Sequence, residues 1–408
     1  MSAKAISTEL DELAASSFRR ASLRKEVRLF ALVAPLLIFL GLIFVIPIGW
    51  MLLSSIEDPE VSGALPNTAN LIQRWDGAGL PSEEVIATLA IDIEHAAKDK
   101  TLGQAGMRLN SAIPGFQSLL TKTAEKLSES QPGGALVALS EIDKRWTENR
   151  YWLAIRNAAN KYSLFYFNSA FGFSNQGPAG DGQGFYLEVL VRTLWMTLVV
   201  TTACVIVGYP LAYFLATISP AWRNILILFV LLPFWTSLLV RTVAWFVLLQ
   251  KHGVVNDVGI YLGLWSKPLD LIYNRFSVYV AMTHVMLPFM VLPLYSVMLK
   301  IPKTYMNAAA TLGARPFRAF KEVYLPLSFP GLGAGILLVF IVSLGFYITP
   351  ALLGGPADQM LSYYIAQNAS NLGNLGLAAA LSVLLLSVVA VVIFVFGRLG
   401  LIANRREV

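Results

Sequence analysis

Apolar residues along this chain gather into long, nearly unbroken runs. They fall at Leu29–Ser55, Tyr186–Ile218, Ile225–Leu249, Val278–Leu299, Leu332–Leu353 and Leu375–Leu399. Each is long enough to cross the hydrocarbon core of a bilayer as a helix, which takes about 20 residues. The pattern predicts an all-α integral membrane protein with six transmembrane helices. The stretch 56–187, between the first and second runs, has another texture. Its apolar residues recur at helical spacing among polar ones. Pro81-Ser82-Glu83-Glu84 opens one helix, continued through Ile86, Leu89, Ile91 and Ile93. Leu119–Leu127 reads as a second helix and Leu136–Ile155 as a third, with Pro132-Gly133-Gly134 between them. The Gly-rich segment Gly172–Gly184 leads back to the membrane. A bare linker has no use for buried faces, so 56–187 is expected to be a mostly helical insertion between helices 1 and 2.

Composition agrees with a membrane protein. Of 408 residues, 56% are hydrophobic and 14% charged, and mean hydropathy is +0.61. The net charge of +6 is not a nucleic-acid signal, because its placement follows topology. The insertion holds fifteen Asp and Glu against eleven Lys and Arg, a net of −4, which leaves +10 for the rest. Residues 1–28 carry Lys4, Arg19, Arg20, Arg24, Lys25 and Arg28, the mark of a cytoplasmic flank. Alternation then puts 219–224, 301–329 and the tail 400–408 on that side, with Arg223, Lys303, Arg315, Arg318, Lys321, Arg405 and Arg406. Both termini are expected in the cytoplasm and the insertion outside it. The loops 250–277 and 354–374 are expected outside as well, packed on protein. The first run is too long for the core of a cleaved signal peptide and reads as an uncleaved helix. Cys204 is the only cysteine, so no intrachain disulfide forms. No internal repeat or low-complexity tract is present.

The longest interruption of apolar sequence in the second half is IPKTYMNAAATLGARPFRAFKEVYLPLSFPG, Ile301–Gly331. Before Pro316 it predicts a short helix with Met306, Ala309, Ala310 and Gly313 on one face. Ala308, Ala309 and Ala310 keep that helix slim enough for a groove on another protein. Gly313 offers a turn position free of Cβ, and Pro316 is expected to end the helix. Asn307-Ala308-Ala309, Gly313, Val323 and Leu325-Pro326 resemble the EAA loop of permease subunits of binding-protein-dependent ABC importers, at its full spacing. Asn307 stands where that family usually has Glu. The plainer reading is an ordinary amphipathic loop between membrane helices.

The resemblance extends over about 186–398. Gly208-Tyr209-Pro210-Leu211-Ala212-Tyr213, Pro233-Phe234-Trp235-Thr236-Ser237 with Arg241, Leu287–Tyr295 and Leu352-Leu353-Gly354-Gly355 are similar to the spermidine/putrescine-type branch. That branch also resembles importers of opines and aminophosphonates. The resemblance implies the type I ABC importer fold in the cytoplasmic (inner) membrane of a bacterium. It also implies a second homologous permease, two ATPase subunits forming a homodimer and an extracytoplasmic solute-binding protein. ATP and Mg would be used by the ATPase partner, with no cofactor on this chain. Residues 301–329 would be the coupling loop and 186–399 a five-helix permease core, while the insertion lies outside the resemblance.

Enzyme chemistry finds little support. No GxxxxGK[ST] phosphate loop and no HExxH occur, and His95, His252 and His284 are dispersed. Arg241 lies inside an apolar run, where an arginine costs at least about 2.5 kcal/mol on insertion scales. It reads either as lining a transport path or locking a subunit interface, or as snorkelling to the membrane surface. His284 reads as a neutral side chain bonded to a neighbouring helix. A proton relay would want carboxylates in the spans, and only Glu188 stands at an entrance. Pro210, Pro233, Pro288 and Pro293 either break helices around a cavity or merely kink them. Trp235, Arg241, Tyr295 and Tyr347 are the candidates for the path. An ATPase-independent secondary transporter or channel, and a membrane-anchored sensor using 56–187 as receptor, are the other classes weighed.

Overall fold

The computed structural model describes residues 31–129, 139–173 and 184–404, with side chains as far as Arg398. The basic segment 1–28, Pro132-Gly133-Gly134, most of the Gly-rich return and Arg405 and Arg406 lie outside the described residues. Among the described residues there is no strand, only an isolated bridge between Glu57 and Tyr162. Among the described residues six helical runs are long and apolar enough to cross a membrane. The chain divides into 1–53 and 54–408. The first unit contributes helix α1, Ala31–Ser54, whose mean hydropathy of 2.8 suits lipid.

The insertion has its own core. Its helices are α2 (Pro59–Ala64), α3 (Pro66–Ile72), α4 (Glu83–Lys98), α5 (Leu102–Ala112), α6 (Phe116–Glu129), α7 (Leu139–Ile142), α8 (Asn149–Ala158) and α9 (Phe165–Ala170). Proline opens α2 and α3, where its missing N–H costs nothing. Ser82 holds the N-cap position of α4 without a side-chain bond, its carbonyl accepting from Ile86 N, and Glu83 and Glu84 stand in the first turn at the positive end of the helix dipole. Leu89 and Ile93 are buried as the periodicity predicts and Ile86 is half-buried, whereas Ile91 points outward, 51% exposed, and Val85, not among the expected positions, is buried. Phe116 meets Trp146 and Tyr151 edge-on at 6.0 and 5.2 Å. The buried indole N–H groups are satisfied: Trp146 donates to Thr123 Oγ1 and Trp152 to the Trp146 carbonyl. Asp92 accepts from Asn67 and from the backbone and hydroxyl of Thr68, which fixes α3 to α4.

The expected third helix, Leu136–Ile155, is instead three pieces. A 3-10 turn at Lys144–Thr147 separates α7 from α8. Asp143 accepts from the Arg145 backbone, a local bond that competes with a continuing helix. Helices α2, α3, α5 and α9 are additions to the sequence expectation.

The membrane part centres on three long helices: α10 (Phe185–Thr217), α14 (Arg275–Met298) and α17 (Leu325–Leu344). Around them lie α11 (Pro220–Leu231), α12 (Leu238–Leu249), α13 (Val254–Tyr261), α15 (Lys303–Thr311), α16 (Pro316–Ala319), α18 (Ile348–Leu353), α19 (Leu361–Ser370) and α20 (Leu375–Asn404). Small residues let the long helices approach closely, the usual device where lipid supplies no hydrophobic drive. A Cβ on Gly208 would fall 2.8 Å from Met290 Cγ, and one on Gly331 2.9 Å from Val297 Cβ.

Two expected spans change shape. Ile225–Leu249 is not one helix: α11 passes into a 3-10 turn, Leu232–Trp235, and α12 starts anew at Leu238. Pro233 has no N–H for the ladder, and Ser237 Oγ accepts from Val240 N to cap the new helix. The crossing-length apolar run here is Leu238–Tyr261, preceded by the shorter Pro220–Trp235. Leu332–Leu353 is likewise revised. The fifth crossing run is Pro316–Leu344, and Ile348–Leu353 is a separate short helix. By contrast Pro210, Pro288 and Pro293 lie inside continuous helices.

Candidate functional site

The loop that resembles an EAA motif is built as a small rigid unit. Helix α15 ends through two bonds, Gly313 N to Ala310 O and Ala314 N to Ala309 O, both 3.0 Å. Gly313 between them has φ +85°, so the expected glycine turn is present and is a Schellman cap. Pro316 does not end this helix. It stands in the first turn of α16, and the chain then runs through a π turn at Phe320–Tyr324 into α17. Leu325 and Pro326 therefore lie within helix. Pro326 has no N–H to return to the preceding turn, and the π turn takes up that fault.

The two faces of α15 differ. Met306 and Ala309 are half-buried, and Met306 packs on the membrane core with Ile301 and Phe320. Asn307, Ala308 and Thr311 are exposed, and Leu312 is 88% exposed. Phe317 follows at 76%. The face read from the sequence is thus divided: Met306 and Ala309 turn toward this chain, while Ala310 and Gly313 are exposed, as are Asn307, Ala308 and Leu312. Below the loop sits an aromatic wedge. Phe320 and Tyr324 meet Tyr213 at 5.7 and 5.0 Å, and Phe320 meets Tyr209 at 6.1 Å. Tyr209 and Ser328 share a hydrogen bond of 2.8 Å. Arg223 closes the end of α10, donating to the carbonyls of Leu215 and Ile218 at 3.1 and 3.0 Å. Nothing in the spacing alone marked this wedge, although Tyr209 and Tyr213 lie in the quoted Gly208–Tyr213 motif.

The path candidates are only partly brought together. Arg241 lies in the first turn of α12, with Nε 3.5 Å from the Ser237 carbonyl, a marginal bond. One turn on, Trp245 donates from Nε1 to His284 Nδ1 at 3.2 Å. Thr242 and Thr349 share a 3.1 Å bond that ties α12 to α18, and Tyr347 stands just before α18, 41% exposed. Arg241, Trp245, His284 and Tyr347 thus belong to one neighbourhood. Trp235 lies at the break before α12, 71% exposed. Tyr295 is half-buried eleven residues beyond His284 on α14. Eleven residues are close to three helical turns, so it shares His284's face but sits about 16 Å along the axis. Trp245 and His284 are the residues that the candidate set lacked.

Leu352-Leu353-Gly354-Gly355 packs tightly for a visible reason. A Cβ on Gly354 would meet the Pro350 carbonyl at 2.6 Å and Val278 at 3.0 Å. Gly355 N donates to Asp358, which pairs with Arg275 at 2.7 Å. Among the described residues no cluster of His, Cys, Asp and Glu could hold a metal ion.

Residues 205–405 match the family model described as "Binding-protein-dependent transport system inner membrane component". The chain is 33% identical over 221 residues to the spermidine/putrescine transport system permease protein PotB of Escherichia coli (strain K12), covering 54% of this chain and 80% of that protein. It is 32% identical over 230 residues to the inner membrane ABC transporter permease protein YdcU of the same organism, covering 52% and 72%. A crystal structure of a bacterial alginate ABC transporter, in complex with alginate pentasaccharide-bound periplasmic protein, superposes with a TM-score of 0.43 at 17% identity, covering 57% of this chain and 85% of that one.

Proposed function

The chain belongs to the binding-protein-dependent transport system inner membrane component family, as a multi-pass permease subunit of an ABC importer, and we propose that it forms one half of a permease heterodimer driven by two ATPase subunits and fed by an extracytoplasmic binding protein. The observation that carries this reading is α15: a short helix, capped at Gly313, with Asn307, Ala308 and Leu312 facing away from the chain. In this reading that face docks on the ATPase, which uses ATP and Mg. Closure of the ATPase dimer pushes α15. The wedge of Phe320 and Tyr324 against Tyr209 and Tyr213 passes the push to α10 and α17. Both termini and α15 then lie on the cytoplasmic side, and the insertion on the other.

The proposed solute is a polyamine such as spermidine or putrescine, supported by the likeness to PotB. A second reading, an opine, aminophosphonate or other anionic or zwitterionic amine, is favoured by Arg241 beside Trp245 and His284, with no carboxylate in the described part of that neighbourhood. A cation gains from aromatic faces and loses beside an arginine. The assembled complex in vesicles is to be given labelled putrescine, spermidine and an opine, with and without the Arg241→Gln change. Polyamine uptake indifferent to the change supports the first reading and makes Arg241 structural. Opine uptake alone, abolished by the change, replaces it with the second. ATP-independent uptake by the chain without partners overturns both.

A further inference from the structure

The insertion is joined to the membrane part through a small, charged and mostly dry seam. Asp58, just before α2, is paired with Arg108 of α5 at 2.6 Å, and both side chains are buried. Ser163 donates to the same carboxylate, and the Asp58 backbone N–H reaches the Lys161 carbonyl. Arg108 lies 3.4 Å over the Phe165 ring of α9. The next residue, Tyr166, is pressed onto the start of α20. A Cβ on Gly376 would fall 2.5 Å from the Tyr166 ring and 3.2 Å from the Glu57 carbonyl.

Glu60 sits in this seam. Its Oε2 is buried and has no hydrogen-bond partner. It faces a cavity of about 10 Å³, lined also by Gln104, Arg108, Tyr166 and the turn Gly373–Asn374 before α20, room for about one water. The charged and titratable groups around it are Asp58 of its own segment, Arg108 from α5 and Tyr166 from α9. The turn before α20 brings none to the cavity. Arg108 is already committed to Asp58 through three hydrogen bonds. An ionised Glu60 therefore holds a buried oxygen without a donor beside a second carboxylate, while a protonated Glu60 removes that charge and supplies a donor.

We infer that Glu60 is a proton-operated latch between the insertion and the turn leading into α20, closed when Glu60 is protonated and loosened when it ionises. Desolvation, reinforced by Asp58 and opposed by a backbone hydrogen bond and by a hydrogen bond from Tyr166, pushes the Glu60 carboxyl up to about 7. In an opened, wetted seam it would return toward the ordinary value of 4.5. The closed form thus binds the proton more tightly. Closure is favoured most below pH 4.5, weakens as pH rises from there to about 7, and is constant above. The latch works on the insertion itself and does not depend on which solute is carried.

The test is hydrogen exchange of the full chain in lipid nanodiscs from pH 5 to 8.5, corrected for the intrinsic pH dependence of amide exchange. The seam is read in peptides covering 56–66, 162–171 and 371–378. The expected result is an opening constant that rises about tenfold per pH unit up to about pH 7 and then levels off, with α14 unchanged. Glu60→Gln, which copies the protonated acid, should hold the seam at its low-pH value throughout. Glu60→Met, apolar and similar in length, should also be independent of pH and serves if the amide disturbs folding. A flat profile in the unaltered chain, or the same rise in either variant, overturns the latch.

Discussion

The indole of Trp245 donates to Nδ1 of His284 across 3.2 Å, joining the half-helix α12 to the long helix α14. With Nδ1 accepting, the imidazole is neutral and carries its proton on Nε2. Arg241 stands one turn before Trp245, so the contact also fixes the face that presents the arginine. His284→Phe should lower transport about fivefold, the weight of one hydrogen bond of about 1 kcal/mol, without lowering membrane insertion. Trp245→Phe should cost the same, and the double variant no more than either alone. Uptake rates normalised to membrane content check this, and additive losses would mean that the two side chains act separately.

Met290 lies between two glycines, Gly208 of α10 and Gly335 of α17. A Cβ on Gly208 would meet only side-chain atoms, Met290 Cγ at 2.8 Å first. A Cβ on Gly335 would meet Met290 Sδ at 2.8 Å and also its backbone carbonyl at 3.1 Å. Each Gly→Ala change should destabilise by about 1–3 kcal/mol, the range for overpacking. Met290→Ala should rescue Gly208→Ala but only part of Gly335→Ala, because a backbone atom cannot be trimmed. Thermal unfolding in detergent reads the difference. Equal rescue at both sites would mean that the carbonyl yields.

The division of α15 into an inner and an outer face separates coupling from folding. Ala308→Arg and Leu312→Asp should leave the chain in the membrane and uncouple ATP hydrolysis from transport. Ala309→Arg faces this chain and should lower its abundance as well. Gly313→Val places a β-branched residue at φ +85° and should weaken the cap by at least about 1–2 kcal/mol. ATPase activity and uptake, measured together on purified complexes, check the set. Normal transport by Leu312→Asp at full abundance would count against docking through this face.

Asn307 is on the exposed face and carries no charge where relatives of the EAA type usually have Glu. Docking here should therefore depend weakly on salt. Asn307→Glu should steepen the loss of ATPase association between low and high ionic strength. An unchanged slope would place the contact elsewhere.

The membrane class and the loop were legible in the sequence because both rest on strong one-dimensional signals. Uniform apolar runs need no partner to be read, and Gly313 has a conformational reason for its place. What escaped depended on distant partners or on local bonds within apolar sequence. Pro233 and Ser237 stop a helix that their apolar neighbours hide. Gly345–Tyr347 end α17 inside a run that hydropathy alone continues to Leu353. Trp245 meets His284 only because α12 starts again at Leu238. In the insertion the long periodic helices α4 and α6 were readable. Helices α2 and α3 are too short to show a period, and the pairing of Asp58 with Arg108 spans fifty positions.

That pairing supplies the last prediction. Asp58 and Arg108 are almost wholly buried, at 0% and 5% side-chain exposure, and the guanidinium also stacks on Phe165. Removing one charge leaves the other buried without a partner, which costs about 3–5 kcal/mol, far more than an exposed pair is worth. Arg108→Gln should therefore destabilise the insertion by that amount. Asp58→Asn should cost slightly more than the charge effect, since Asp58 also accepts from Ser163. The double variant, an amide facing an amide, should be less damaged than either single one. Exchange protection of α4 and α6 reports the insertion, and protection of α14 reports the bundle. Losses confined to the insertion, with the double variant the mildest, are expected. A double variant equal to the sum of the singles would mean that the two side chains stabilise the seam independently.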